Sequence, residues 1–316
     1  MSDPGPPRAG RFGAVEVSLL AVTSLVWGAA YVFIREGIVF GASPLAFASA
    51  RYLLSAAAFA VLASARKEAF PSRRAFLVSA SVGGILIIGL YGGFLYWGEQ
   101  YTTGGYAAVL ASTAPLLTVA AGFFLLTSER LGTRGLIGMA IGFVGATVLV
   151  YPQLIGTNAL GSWQGPLFVL AAMACTAVGT VVLRRIGRGP QGLWQIGTQF
   201  MVAGLLLGAA AIAIPSSSAL PLTSGVIAML ALLVLFSSVV GYFGYFSLHH
   251  RVGPVRANVV AYLAPLVGVA VGTGLFSEPV TLWEVAGVAV VLGGVTLVLW
   301  ESARKSAPAP VAPAGR

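Results

Sequence analysis

The sequence predicts an all-α integral membrane protein of ten transmembrane helices in two inverted five-helix repeats, with both termini cytoplasmic. Three observations carry this. The 316 residues are 58% hydrophobic and only 9% charged, where a soluble domain has about 25% charged residues. Apolar segments long enough to cross a bilayer recur along the chain, parted by short loops bearing Pro, Gly, Ser or charge. Finally, "YAAVLASTAPLLTVAAG" at 106–122 returns as "RANVVAYLAPLVGVAVG" at 256–272, identical at nine of seventeen positions when Pro115 and Pro265 are aligned.

Taken in order, residues 1–13 form a Pro/Gly-rich tail expected to be disordered, and the apolar run after it is too long for a cleaved leader. A helix needs about 20 apolar residues to span a hydrocarbon layer of about 30 Å. Segments 14–34, 44–65, 75–98, 105–127 and 134–151 meet that requirement and make a first repeat over 14–151. A periplasmic linker over 152–164 follows. Segments 165–183, 193–214, 224–248, 257–276 and 282–300 make the second repeat over 165–300, and residues 301–316 are a low-complexity tail expected to be disordered.

Charge sets the orientation. Of the 18 Lys and Arg residues, all but Arg35 and Arg51 fall on the side of the N-terminus, which the positive-inside rule places in the cytoplasm. The net charge of +9 is therefore a topology signal, scattered among loops without forming a basic face, and nucleic acid is excluded as a partner. Trp97, Trp163, Trp194, Trp283 and Trp300 sit at span ends, where an amphipathic ring suits the interface; Trp27 lies inside one.

The repeat extends beyond its cheap Ala and Leu matches. Glu129 and Gly138 have the same spacing as Glu278 and Gly287, and Gly145 and Gly294 follow at one further interval. "RYLLSAA" at 51–57 lies opposite "QFMVAGL" at 199–205, which sets Arg51 against Gln199, and Trp27 falls opposite Thr176. A unit of five helices is odd, so its second copy crosses the membrane in the opposite sense, and such folds place a site near the midplane between the halves. Pro115 and Pro265 fall mid-span in helices four and nine. Each removes a hydrogen bond to the carbonyl four residues back, Ala111 or Ala261, and is expected to kink its helix toward protein or a water-filled cavity.

The segments "VWGAAYVFIR", "ARYLLSA", "GEQYTTGGYAAVLASTAPL" and "SERLGTRGLIGMAIGFVG", in this order and spacing, resemble the drug/metabolite transporter superfamily, EamA type. The resemblance covers about residues 14–300. It implies two inverted five-helix repeats that move small metabolites by alternating access, with the aromatic and neutral amino-acid exporters of bacterial inner membranes the most similar group. The second half departs from the first in loop charge and has Thr176 in place of Trp27.

Arg51 is the one cation within a span, roughly 10 Å from the outer edge by helix rise. Placing it there costs at least about 2.5 kcal/mol, and intramembrane charges are functional candidates. It could hold a substrate carboxylate, pair with Glu36 or Glu99, or snorkel outward. Trp27, Tyr31, Tyr91, Tyr106, Tyr242, Tyr245 and Tyr262 are individually ordinary packing residues but together suit the wall of a cavity for a small organic ligand. Thr113, Thr176, Thr180 and Gln199 add uncharged polar points. Asn258, near the start of helix nine, reads as a cap.

Absences narrow the function. The carboxylates all fall at span ends or outside, so facilitated movement is expected rather than strong proton coupling, and cationic cargo is disfavoured. His249 and His250 are adjacent and point apart on a helix, a poor metal pair, and Cys175 is alone. No nucleophile–base constellation or phosphate-binding loop occurs, so neither enzyme chemistry, cofactor nor metal is expected. The expected partners are a small-molecule substrate, an amino acid or similar metabolite, and the lipid bilayer; oligomeric state is left open, a monomer included. Sugar-phosphate or nucleotide-sugar exchange would want more cations than Arg51. A non-transporting membrane scaffold is the alternative of another class.

Overall fold

The computed structural model describes residues 13–125, 133–154, 162–186, 192–214, 219–252 and 259–305. Within them the chain is helical. The helices are α1 (Ala14–Val39), α2 (Pro44–Ala65), α3 (Arg73–Gly98), α4 (Gly104–Leu125), α5 (Thr133–Leu154), α6 (Gln164–Arg185) and α7 (Leu193–Ala213). A further helix, α8, runs as Ser224–Leu232, Leu233–Val240 and Gly241–Val252, and α9 (Val260–Phe276) and α10 (Leu282–Lys305) complete the set. Seven of them are long and apolar enough to cross a membrane, and α5, α9 and α10 contribute shorter apolar stretches. The helical part of α10 reaches Lys305, into the segment expected to be a disordered tail. Likewise α5 runs through Leu154 into the expected linker, of which 155–161 lie outside the described residues.

Local sequence explains the boundaries. Pro44 opens α2 in the first turn, where its missing N–H costs nothing. Lys67 ends α2 with φ 51°, letting the Glu68 N–H reach the Ala63 carbonyl at 3.0 Å. Thr103 caps α4 by accepting from the Tyr106 N–H at 3.2 Å. Thr281 and Glu284 cap α10 reciprocally: the Thr281 N–H donates to Glu284 Oε2 at 2.7 Å and the Glu284 N–H to Thr281 Oγ1 at 3.3 Å.

The helices pack in pairs that exchange on swapping the two halves. Repeat-equivalent α5 and α10 lie against each other, as do α2 and α7; α1 packs on α9 as α6 packs on α4, and α7 on α3 as α2 on α8. The glycines of the sequence repeat explain the first pair. A methyl group at Gly145 would meet the Val291 backbone at 2.6 Å, and one at Gly294 would meet Gly142 at 2.5 Å, so these backbones approach as only small residues allow.

Two elements depart from simple helix. α3 winds as a π-helix over Ser79–Leu90 and α8 does so over Leu233–Val240, and the two stretches end at repeat-matched positions. α4 breaks at Ser112–Thr113, whose N–H groups bond three residues back to Val109 and Leu110 at 3.1 and 3.0 Å. The helix resumes at Ala114, so Pro115 sits in a first turn and needs no donor. Pro265, by contrast, lies inside the continuous α9.

Candidate functional site

Arg51 organises the centre. Its residue is 8% exposed, so the snorkelling alternative does not describe it. The Nη1 group donates to the Tyr96 hydroxyl at 3.0 Å and Nη2 to Ser237 Oγ at 2.9 Å, while Nε has no partner. The guanidinium carbon stands 5.5 Å from the Tyr52 ring centroid. One turn along α2, Ser55 Oγ contacts Ser238 Oγ at 2.9 Å. Neither Glu36 nor Glu99 forms a salt bridge with Arg51; Glu99 acts on it only at longer range. A full positive charge is therefore buried among hydroxyls and aromatic rings without a carboxylate in contact.

Several predicted residues converge here. Trp27 Nε1 donates to the Ser237 carbonyl at 3.1 Å, a carbonyl of the π-helical stretch of α8, and its ring meets those of Tyr245 and Tyr242 at 5.0 and 5.8 Å. Tyr31 of α1 and Tyr91 of α3 lie close enough to act on each other and on Arg51. Tyr242 also packs on Phe200 at 5.3 Å and joins the ring cluster of Phe59.

A second, weaker cluster lies across the repeat. Gln199, 4% exposed, donates from Nε2 to Ser79 Oγ at 3.0 Å, and Ser79 in turn donates to the Gln195 carbonyl at 3.0 Å. Thr176 Oγ1 reaches the Ile87 carbonyl at 3.4 Å. Ile87 stands to Ser237 as Pro115 stands to Pro265. Thus Trp27 and Thr176, which match in sequence, donate to matching carbonyls in the two π-helical stretches. Thr180 is half-buried one turn further along α6.

Other candidates serve the frame. Tyr106 is fully buried and its hydroxyl donates to the Leu149 carbonyl of α5. Thr113 Oγ1 donates to the Leu110 carbonyl at 2.7 Å, a second donor to the acceptor that the Thr113 N–H already reaches at the break in α4. The side chains of Tyr262, His249 and His250, and Asn258 entirely, lie outside what is described. Around the expected central cavity, Trp27, Tyr31, Tyr91, Tyr242 and Tyr245 are only partly buried, and the Trp27 ring contacts those of Tyr242 and Tyr245. The cleft lined by Thr103, Gly105, Tyr106, Val269, Glu278 and Pro279 at the α4–α9 end has no room for a ligand.

Sequence reasoning missed the partners of Arg51. Ser237 and Ser238 carried a signal, two adjacent hydroxyls inside an apolar span, and Ser55 stands one turn from Arg51. It also undervalued two acids. Glu278, beyond α9, accepts from the Gly104 N–H at 2.8 Å and the Gly105 N–H at 2.7 Å, so a carboxylate from one half caps α4 of the other. Glu99, the first residue beyond α3, is fully buried with both carboxyl oxygens unpartnered. Burial, then the negative charge of Glu278, push its pKa well above the usual carboxylate range, against the pull of Arg35.

Comparison with known proteins agrees with this architecture. The uncharacterized inner membrane transporter YedA of Escherichia coli (strain K12) is 31% identical over 276 residues, 87% of each chain. An uncharacterized transporter of Archaeoglobus fulgidus is 28% identical, covering 89% of this chain and 97% of its own. A Salmonella typhimurium protein named "Probable amino-acid metabolite efflux pump" is 26% identical, covering 88% of this chain and 92% of its own. A solved crystal structure, 18% identical, shares the fold with a TM-score of 0.62 over 94% of this chain and all of that one. The model of the EamA-like transporter family matches twice, over residues 15–151 and 163–300. The chain belongs to the EamA-like transporter family and is a membrane transporter rather than an enzyme.

Proposed function

We propose that the protein exports amino acids, aromatic and other neutral ones, or similar small metabolites across the inner membrane, with broad specificity. In this reading ten transmembrane helices form two inverted five-helix repeats with both termini cytoplasmic, and the halves rock around a central site to give alternating access. The names of the relatives support inner-membrane location and, at lower identity, amino-acid cargo. The exchange of packing partners between the halves supports the rocking geometry.

The observation that carries the reading is Arg51. A buried guanidinium without a contacting carboxylate, and with one N–H unsatisfied, is costly unless a ligand completes it. An amino-acid carboxylate offers the planar, bidentate partner that a guanidinium favours. The rings of Trp27, Tyr31, Tyr52, Tyr91 and Tyr242 around it suit an apolar or aromatic side chain. Methylene differences in such a pocket are worth only about 1–3 kcal/mol, so several neutral amino acids are accepted. A phosphorylated sugar would demand further buried cations.

Arg51 is held by Tyr96 and Ser237, and substrate binding exchanges these contacts for the carboxylate. The test is counterflow of labelled neutral and aromatic amino acids in liposomes containing the purified protein. Saturable exchange is expected; no exchange of any of them overturns the assignment.

A further inference from the structure

The function proposed above leaves one buried group unused. Glu99 is fully buried, and neither carboxyl oxygen has a hydrogen-bond partner. An ionised carboxylate in that state is expensive, because nothing replaces its lost water. The cation that acts on it most, Arg35, bonds elsewhere: its Nη1 donates to the backbone carbonyls of Glu99 and Gln100 at 2.7 and 3.0 Å, leaving the carboxyl itself unbonded. Thr102 Oγ1, buried three residues on, is also without a partner.

The location matters as much as the burial. Glu99 follows Tyr96 by three residues at the end of α3, about one helical turn, and Tyr96 is the residue that Arg51 grips. The charged groups acting on Glu99 are Glu278 from the segment after α9, Arg35 of α1 and Arg51 of α2. Glu36 of α1 in turn feels Glu278 and Arg35. α6 closes the remaining side with Gly165 and Phe168, packed against Thr102 and Gly98 and bringing no charge. Glu99 thus lies where both halves meet, beside the Glu278 cap that binds one half to the other. A cation at Arg51 and a proton-holding acid about one turn beyond its hydrogen-bond partner act on each other near the same end of α3.

We propose that Glu99 binds either a proton or the ammonium group of the substrate, so that the protein exchanges protons for zwitterionic amino acids. This rests on the amino-acid reading above and adds the coupling ion to it. Without substrate, Glu99 is protonated and neutral. An entering amino acid sets its carboxylate on Arg51 and its ammonium toward Glu99, which gives up its proton to water on the side from which the substrate came. Release on the opposite side leaves Glu99 free to take a proton there. One proton crosses for each amino acid that crosses the other way, and the carboxyl is never left bare.

Two measurements test this. Adding a neutral amino acid to the detergent-solubilised protein, with a pH-sensitive dye in weak buffer, is expected to release close to one proton per molecule bound. Correspondingly, the apparent Kd of the wild type rises about tenfold per pH unit on acidification through the range where Glu99 is protonated, whereas in Glu99→Gln it is independent of pH. Glu99→Gln also discriminates less between an amino acid and the analogue lacking its amino group. Binding without proton release, or equal pH dependence in Glu99→Gln, overturns the exchange while leaving the amino-acid reading intact. No binding of any amino acid overturns both.

A substrate-free readout checks the group itself. Because its folded pKa is raised, Glu99 contributes stability that is fully present below the ordinary glutamate value of about 4.3 and is lost as pH rises toward the folded value. Thermal unfolding of the wild type should therefore fall with rising pH relative to Glu99→Gln. Curves that run parallel would show that Glu99 holds no proton and would overturn the proposal.

Discussion

Arg51 on α2 and Gln199 on α7 occupy matching positions, and each reaches from its helix to a serine in a π-helical stretch. Arg51 reaches Ser237 in α8, and Gln199 reaches Ser79 in α3. The frame is shared, but the chemistry is not. Gln199 is a neutral amide whose bond to Ser79 ends in a bond to backbone, so that cluster is self-contained. Arg51 brings a full charge into the same kind of frame and leaves one donor unsatisfied. The matching frame therefore supplies two positions, and on the function proposed above sequence divergence makes one of them the substrate site and the other a joint.

The largest expected effect comes from breaking that asymmetry. Arg51→Gln makes the two positions alike. Amino-acid exchange should fall at least about a hundredfold, near 3 kcal/mol at about 1.4 kcal/mol per decade, because the carboxylate loses its charged partner. Thermal stability in detergent should be unchanged or higher, since a buried uncompensated charge is removed. Loss of stability together with loss of flux would instead mark Arg51 as a structural residue. Gln199→Ala should leave substrate selectivity intact, and a selective loss there would sink the distinction.

How much of this was legible in the sequence follows from what each signal depends on. Span length, charge asymmetry and the Pro115/Pro265 match are local or periodic, and the helices and their exchanging contacts follow from them. Arg51 was legible because a charge inside an apolar run is conspicuous. The π-helical stretches were not, since "SASVGGILIIGL" and "LVLFSSVV" have the composition of any apolar helix. Glu99 was misjudged for a related reason. Its place at a span end marked it as outside the membrane centre, but its full burial beside α6 and Glu278 is set by packing that no linear pattern records. Pro115 and Pro265 are identical in sequence, yet one follows a break and the other does not. In α4, Ser112 and Thr113 donate hydroxyls to the carbonyls of Val109 and Leu110 and stabilise the interruption. The matching Tyr262 and Leu263 in α9 have no such short hydroxyl arm.

The cap between the halves gives an intermediate effect. Glu278→Gln replaces a carboxylate that accepts two backbone N–H groups at the start of α4 with an amide that accepts through one oxygen only. A loss of about 1–2 kcal/mol of apparent stability is expected from the cap and the helix dipole together. Because this contact joins the halves, cysteine accessibility at Gly105 should rise in the variant, and unchanged accessibility would show that the cap does not hold that end shut.

The smallest effects compare the two side chains that bond to π-helical carbonyls. Trp27→Phe removes the indole N–H that satisfies the Ser237 carbonyl at 3.1 Å. A buried acceptor left with one partner fewer costs about 1 kcal/mol. Thr176→Val removes the matching donor, but its bond to Ile87 is 3.4 Å long, so only a few tenths of a kcal/mol should go. Thermal unfolding of the two single variants and the double variant measures both. Near-additive losses with the Trp27 share larger are expected, because the donors sit on different helices and share no partner. Substrate flux separates the roles further: Ser237 also receives Arg51, so Trp27→Phe should weaken amino-acid exchange, whereas Thr176→Val, acting beside Gln199, should not. Equal effects on flux would mean that both π-helical stretches serve the substrate alike, and that the charge of Arg51 does not by itself make its half the site.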